Sequence, residues 1–220
     1  MVDRVAKDAL YDGFAEVAKA LASGRRAEIV DVLAQGERSV EEVAGEIDQS
    51  VANTSHHLRA LARAGLLTTR RDGTRIYYAL AGDRVGELWA AVRNVAEAHV
   101  AGLDRLASAY VGDRDGIEVV DREGLAARLE DGAVVVLDVR PAAEFGAGHI
   151  AGARSVPIDE LRKHLEALPA GEDVVAYCRG PYCVYADDAV HALGRAGYRA
   201  TRLDDGYPEW VRAGLPVETA

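Results

Sequence analysis

Cysteine is scarce in this sequence, which has only Cys178 and Cys183 among its 220 residues. Two cysteines five positions apart cannot form the disulfide framework of a small extracellular domain, and alone they cannot close a four-ligand zinc site. The scarcity favours a reducing compartment. The short separation indicates thiol chemistry, with the alternative that Cys183 is a small buried apolar residue.

Long apolar runs are also missing from the sequence. No segment approaches the roughly 18 apolar residues of a membrane span, and residues 1–14 are too polar for a signal peptide. We therefore expect a cytoplasmic protein with no membrane partner and no cofactor. A hydrophobic fraction of 49% and a charged fraction of 28% are typical of globular protein, and the length allows two domains of about 100 residues.

A positive overall charge is absent as well, since the formal net charge is −10. The excess lies mainly in residues 111–220, which hold 12 Lys and Arg against 20 Asp and Glu, whereas residues 1–110 hold 14 against 16. Within the first half, five arginines are opposed over their own stretch only by Asp72. They are Arg59, Arg63, Arg70, Arg71 and Arg75. A local basic patch of this kind suits phosphate contacts, whatever the global sign.

Residues 1–110 show the pattern of a helical domain with one hairpin. Apolar periodicity and capping residues predict four helices. They cover roughly 4–22, 25–35, a short segment opened by a Ser39 and Glu42 capping box, and 50–64. Two strand-like runs, 66–70 and 75–80, are joined through Asp72-Gly73, a dipeptide that favours a tight hairpin turn. This order of elements is typical of a winged helix-turn-helix.

A single long helix is expected over residues 83–110. Apolar residues recur there at steps of three and four, from Val85 to Tyr110. A domain of 110 residues has little core to cover such a stripe, so we expect a second copy of the chain to cover it in a homodimer. The alternative is that the helix packs back on its own domain.

The pattern changes after the polar, glycine-flanked segment 112–116, where we place the boundary between domains 1–110 and 111–220. Residues 134–139 and 174–177 are continuous β-branched runs, which are typical of strands buried on both faces. They alternate with helical stretches near 122–130, 159–168 and 184–195. The second domain is therefore expected to be α/β with a mainly parallel sheet, whereas the first is mainly α with a β-hairpin wing.

Residues 39–80 carry the first family resemblance. The stretch TSHHLRALARAGLL, followed by a charged glycine wing and IYYAL, closely resembles the ArsR/SmtB family of bacterial winged-helix repressors. The resemblance implies a homodimeric repressor that places helix 51–64 in the major groove of a double-stranded operator. The expected DNA contacts are Ser50, Asn53, Thr54, His56, His57, Arg59, Arg70, Arg71 and Arg75. For the two histidines, a surface polar contact or a capping hydrogen bond is an equally good interpretation.

Many members of that family sense metals, but the ligands for such sites are missing here. Residues 43–47 read VAGEI and contain no cysteine. Some members bind a metal through side chains of the helix that forms the dimer. Glu97 and His99 resemble the first two ligands of such a site, but Ala109 and Gly112 occupy the positions of the other ligands. We therefore expect no metal site, and we expect His99 to lie at an interface.

Three separate stretches carry a second resemblance. They read LDVRPAAEFGAGHIAGARSVP at 137–157, AYCRGPYC at 176–183 and LDDGYPEWVRAGLPV at 203–217. Together they resemble the rhodanese family, which implies sulfurtransferase activity through a persulfide on Cys178. Most active members of the family have one cysteine in the loop and a Thr or Arg at its end, where this chain has Cys183, so that residue is a candidate resolving thiol. Asp138, Arg140, Glu144 and His149 are expected to be buried scaffold.

The residues of the loop support thiol chemistry directly. Cys178 follows a buried strand, and Arg179, Gly180, Pro181 and Tyr182 lead to a helix that begins near Cys183. Amide groups at a helix start favour an anion, so we expect a lowered pKa for the Cys178 thiol. The charge of Arg179 should attract an anionic sulfane-sulfur donor such as thiosulfate or polysulfide.

Two functions from different classes follow from these patterns. The first is a repressor that couples sulfane sulfur on Cys178 to operator binding. The alternative is a sulfurtransferase whose DNA-binding domain regulates its own operon. A third interpretation, a metalloid sensor using Cys178 and Cys183, draws on the family name and two thiols only.

Overall fold

The computed structural model describes residues 3–132, 134–165, 168 and 171–219. The chain forms two compact units, which divide between Asn94 and Val95. The domain limits 1–110 and 111–220 stay a prediction. No helix in the described ranges is both long and apolar enough to cross a membrane.

The first unit is a winged helix-turn-helix, as the sequence predicted. Its elements are α1 (Arg4–Leu21), α2 (Gly24–Leu33), β1 (Arg38–Ser39), α3 (Val40–Glu46), α4 (Val51–Arg63), β2 (Leu67–Asp72), β3 (Arg75–Leu80) and the first part of α5 (Asp83–His99). The strands form an antiparallel sheet of order β1-β3-β2. The expected capping box is present, because Ser39 accepts from the Glu42 amide and Glu42 accepts from the Ser39 amide. Gly73, with φ of 58°, occupies the tight turn.

The prediction of one continuous helix over 83–110 is wrong. α5 ends at His99, and α6 (Leu103–Val111) begins after Gly102, whose φ of 84° lies in the left-handed region and interrupts the helical backbone. Val85 is buried in the core of the first unit, whereas Leu88 and Val95 are exposed. The apolar stripe is therefore only partly used inside one chain.

The second unit contains a five-stranded parallel sheet of order β4-β9-β8-β5-β7. Its elements are β4 (Val119–Val120), α7 (Arg122–Glu130), β5 (Val134–Asp138), α8 (Ala142–Ala147), β6 (His149–Ile150), β7 (Arg154–Ser155), α9 (Leu161–His164), β8 (Asp173–Tyr177), α10 (Tyr185–Arg195), β9 (Arg199–Leu203), α11 (Tyr207–Arg212) and β10 (Val217–Glu218). Of the helix expected over 159–168, residues 166 and 167 lie outside the described residues.

Apolar clusters cover both faces of this sheet. Val135, Leu137 and Val174 belong to one cluster, and Val136 and Val175 belong to the other, so consecutive residues of a strand point to opposite faces. This explains why the strands read as continuous β-branched runs. The carboxyl end of the central strand β8 is therefore held rigidly, and the next residue along the chain is Cys178.

Candidate functional site

The cysteine loop, residues 178–183, joins β8 to α10. Cys178 is buried, with 1% of its surface exposed, whereas Cys183 is partly exposed. The loop closes through a hydrogen bond from the Cys183 amide to the Gly180 carbonyl at 3.1 Å, and the Tyr207 amide donates to the Cys178 carbonyl at 3.1 Å. Both thiols are free and lie in one tightly held loop.

The surroundings of the Cys178 sulfur differ from the expectation. Its Sγ donates towards the Cys183 carbonyl at 3.6 Å and the Gly180 carbonyl at 4.0 Å. Burial raises the pKa of the Cys178 thiol well above its ordinary value, and the neighbouring Cys183 adds to this. The amides of Ala186 and Gly180 act in the opposite direction without offsetting the burial. The predicted lowering of the Cys178 pKa is therefore wrong.

Cys183 is the more acidic thiol of the pair. The hydrogen bond that it accepts from Cys178 is the largest cause, and the amides of Arg179 and Tyr185 contribute, so that the pKa of Cys183 falls to about 7 despite partial burial. The amide groups of the loop are thus shared between two sulfur atoms, whereas all of them were expected to act on Cys178. At neutral pH, Cys183 is poised to carry the negative charge of the pair.

Arg179 is held by a carboxylate of the protein. Its Nε donates to both oxygens of Glu144, at 3.0 and 3.1 Å, and Glu144 is almost fully buried. Asp138 and Arg140 form a second buried pair, which Tyr177 joins through a hydrogen bond to Asp138. The predicted burial of Asp138, Arg140 and Glu144 is confirmed. The charge of Arg179 is therefore largely balanced before any anionic donor binds.

Two further arginines hold the backbone of the cysteine loop, and sequence reasoning missed both. Arg202 in β9 donates to the Pro181 carbonyl at 2.9 Å, and Arg114 donates to the same carbonyl at 2.7 Å. Each arginine also pairs with Asp187 in α10 at 2.8 Å. Arg114 and Pro181 are 67 positions apart in the chain, so no local spacing could have indicated this contact.

Gly206 lies against the cysteine loop, and this contact gives a testable prediction. A Cβ at Gly206 would lie 2.2 Å from the Gly180 nitrogen, whereas a Cβ at Gly194 in α10 meets nothing within 4 Å. Gly206→Ala should displace the loop and destabilise the domain by about 1–3 kcal/mol. The matched control Gly194→Ala should be neutral or slightly stabilising, because alanine favours a helix. Urea unfolding of both variants checks this, and equal stabilities would contradict the close approach.

The recognition helix α4 presents most of its predicted DNA contacts to solvent. Ser50, Asn53, His56 and Arg59 are exposed. His57 is half-buried, and its burial lowers its pKa, with the nearby charge of Arg26 adding to the effect. The Ser50 side chain also accepts a hydrogen bond from the Asn53 amide at 3.3 Å and so caps the helix, as predicted.

Thr54 is the exception among the predicted contacts on α4. It is fully buried, so its prediction as a DNA contact is wrong. Thr54, Leu58 and Leu61 follow one another at steps of four and three, which places all three on the inward face of α4.

The wing arginines are exposed but not equivalent. Arg70 is paired with Glu37 at 2.6 Å and with Asp72 at 3.5 Å. Arg71 donates to the Gly73 carbonyl at 3.2 Å. Asp72 was the expected opposing charge, whereas Glu37 lies 33 positions before Arg70 and no local spacing indicated it. Arg71, which has no carboxylate partner in these contacts, is therefore better placed than Arg70 to form an ion pair with a phosphate.

Among the described residues, no group of three or more His, Cys, Asp and Glu side chains could hold a metal ion. The preceding contacts describe two candidate sites. One is the exposed basic face of the first unit, and the other is the two-thiol loop of the second.

Comparison with known families assigns both halves. Residues 23–69 match the bacterial regulatory protein family arsR, and residues 121–213 match the rhodanese-like domain. The HTH-type transcriptional regulator Rv0324 of Mycobacterium tuberculosis is 47% identical over 212 residues, which cover 96% of this chain and 93% of that protein. A sulfurtransferase of Allochromatium vinosum is 34% identical over 103 residues, 46% of this chain and 94% of that protein.

Solved structures resemble each half separately. A homodimeric winged helix-turn-helix DNA-binding domain from Mycobacterium bovis, solved by NMR, is 48% identical with a TM-score of 0.42, and covers 46% of this chain and 91% of that chain. A rhodanese-related protein from Thermoplasma volcanium is 26% identical with a TM-score of 0.43, and covers 47% of this chain and 99% of that chain.

Proposed function

Because this chain belongs to the arsR family of bacterial transcriptional regulators and carries a C-terminal rhodanese-like domain, we propose that it is a repressor whose operator affinity depends on sulfane sulfur bound to Cys178. The observation that carries the proposal is the pair of free thiols in one loop of a DNA-binding chain. Its site of action is the cytoplasm, where the operator lies. A sulfur donor can convert the thiol pair to a persulfide or a disulfide, so the covalent state of the loop can depend on the donor.

Sulfur loading requires a thiolate and a sulfane-sulfur donor. With thiosulfate, the Cys178 thiolate attacks the outer sulfur atom, the S–S bond of thiosulfate breaks, and sulfite leaves with the bonding electron pair. The product is a persulfide on Cys178. The proton of Cys178 passes to Cys183, whose sulfur accepts the hydrogen bond from Cys178 and whose lowered pKa makes it a base near pH 7.

Cys183 also completes the cycle as a resolving thiol. After it releases its proton to solvent, the Cys183 thiolate attacks Sγ of the Cys178 persulfide, the bond to the outer sulfur breaks, and hydrosulfide leaves. The two cysteines are oxidised to a disulfide, and the sulfane sulfur is reduced to hydrosulfide. The loop therefore has three covalent states: dithiol, persulfide and disulfide.

The second candidate function is a sulfurtransferase with an autoregulatory DNA-binding domain. The rhodanese-like half favours it, because that half matches nearly the whole length of a sulfurtransferase. Appreciable turnover with thiosulfate and a thiol acceptor in the absence of DNA would support this alternative. A change in operator affinity on persulfidation would support the regulator.

An electrophoretic shift on the DNA upstream of its own gene, with and without polysulfide, tests the proposed function. We expect a specific complex whose apparent Kd changes about tenfold or more when Cys178 is loaded, within the usual range of allosteric coupling. An unchanged Kd with a fully loaded protein would refute the coupling of sulfur to DNA binding. Mass spectrometry of the same samples establishes the extent of loading.

The wing should contribute phosphate contacts. Arg71→Ala should weaken binding to all DNA sequences and lower the slope of log K against log salt by about one, as expected for the loss of one phosphate contact. The control is Arg128→Ala, which removes an exposed arginine from α7 in the second unit. Filter binding at several salt concentrations measures both slopes. A parental slope for Arg71→Ala would refute the assignment of the wing.

We also propose that the chain acts as a homodimer. Leu10 and Phe14 on α1 are 55% and 62% exposed, and Val92 and Val95 on α5 are 41% and 61% exposed. Apolar faces on two helices of a small domain are typical of a surface that a second copy covers. A dimer would also present two recognition helices to the two halves of a palindromic operator.

A further inference from the structure

We propose that Arg114 is a positioning residue that transmits the covalent state of the cysteine loop to residues 112–116, the segment that precedes the rhodanese-like half. The inference rests on the proposed function, because it names how the same thiol site is coupled to the rest of the regulator. Its basis is a set of contacts that no sequence motif records.

Arg114 holds the backbone of the cysteine loop and the helix that follows it. Its guanidinium donates to the Pro181 carbonyl at 2.7 Å, to the Cys183 carbonyl at 3.4 Å and to Asp187 Oδ2 at 2.9 Å. The Cys183 carbonyl is also the group towards which the Cys178 thiol donates, at 3.6 Å. Arg114 therefore binds the same backbone oxygen as the reactive sulfur.

Arg114 and Arg202 make similar contacts but lie in different kinds of backbone. Arg202 lies in the sheet strand β9 and its side chain is 2% exposed, whereas the Arg114 side chain is 29% exposed and its residue belongs to no helix or strand. Both pair with Asp187, and both donate to Pro181. Because β9 is fixed in the central sheet, a displacement of the loop moves Arg114 more readily than Arg202.

Because Cys178 is closely packed, a change in its covalent state should displace the backbone of the cysteine loop. The residue is 1% exposed, and its sulfur contacts carbonyl groups of the loop itself. An additional sulfur atom, or a bond to Cys183, cannot be accommodated in a close-packed site without movement of neighbouring atoms. The carbonyls of Gly180 and Cys183 are the groups towards which the sulfur donates, and the second of them is held by Arg114.

The backbone around Arg114 places it next to the end of α6. Gly112 ends α6 with φ of 80°, and the Ile117 amide donates to the Arg114 carbonyl at 3.1 Å. Arg114 thus lies two residues after the helix end, inside a short turn. A shift of its side chain acts directly on the segment that leads back to α5 and α6.

The test uses the full chain with Arg114→Ala and Arg114→Lys. The control is Arg199→Ala. Arg199 is exposed and pairs with Asp173, the first residue of β8, whereas the cysteine loop follows the last residue of that strand. The readout is the ratio of the larger to the smaller operator Kd in a comparison of untreated with polysulfide-treated protein. Mass spectrometry measures the loading of Cys178. Hydrogen exchange of residues 103–117 is measured on the same samples. Thermal melts establish that each variant is folded.

We expect a ratio of about ten for the parent and Arg199→Ala, and a ratio near one for Arg114→Ala when the proteins are compared at equal loading of Cys178. Arg114→Lys should give an intermediate ratio, because an ammonium cannot reproduce the forked contacts of a guanidinium. A parental ratio in Arg114→Ala, or unchanged exchange of residues 103–117 in the loaded parent, would overturn the proposal.

Diamide, which oxidises a thiol pair to a disulfide while it is itself reduced, separates the two proposals. It changes the loop without supplying sulfur. If polysulfide adds nothing to Cys178 but diamide alters the exchange of residues 103–117 in the parent and not in Arg114→Ala, the role of Arg114 stands and the sulfur function fails. If diamide alters the exchange equally in both proteins, the role of Arg114 fails.

Discussion

A Cys178→Ser protein should gain no sulfur from thiosulfate or polysulfide, whereas the parent should gain about 32 Da, the mass of one sulfur atom, on Cys178. The serine hydroxyl is far less acidic than a thiol and cannot form a persulfide, so sulfurtransferase turnover should also fall to background. Intact-protein and peptide mass spectrometry measure the adduct and its position. The substitution is nearly isosteric, and the fold should be retained.

Cys183→Ser is the matched control for that experiment. It should keep the sulfur adduct on Cys178 and lose only the disulfide product, although loading near pH 7 should be slower without the Cys183 thiolate as base. In the parent, alkylation of Cys183 should accelerate as the pH rises through about 7, where its thiolate becomes the main form. Sulfur found on Cys183 alone, or full transfer by Cys178→Ser, would overturn this assignment of roles.

The features that local chemistry determines could be predicted from the sequence. The capping box of Ser39 and Glu42 and the tight turn at Gly73 involve residues close in the chain, and both are present. Thr54 is buried on the same face as Leu58 and Leu61, contrary to its predicted place on the outward face. Periodicity alone places these three residues on one face.

The properties that depend on distant residues could not be predicted in this way. Whether the pKa of Cys178 rises or falls depends on how completely the folded domain buries it and on which amides face which sulfur. The hydrogen bond of Arg114 to the Pro181 carbonyl joins segment 112–116 to a loop 67 positions away. Such contacts leave no spacing pattern, so the chemistry of the site was predictable in kind and not in its electrostatic detail.

Substitution of Leu88 and Val95 by glutamate should convert the protein to monomers and abolish specific DNA binding. Both residues lie on the exposed apolar face of α5, with 36% and 61% of their surfaces accessible in the single chain. Burial of one such side chain contributes about 1.5–3 kcal/mol, and a carboxylate at the same place in an interface would add a desolvation penalty. Sedimentation velocity measures the mass of the particle.

The matched control is Val119→Glu, which places the same charge on a β4 side chain that is 52% exposed in the second unit. It should leave both the dimer and operator binding intact. A dimer of unchanged stability in the Leu88 and Val95 double variant would exclude this face of α5 and place the interface on α1 or in the rhodanese-like half. Monomers that still bound the operator with parental affinity would contradict the requirement for two recognition helices, because one helix reads only one half-site.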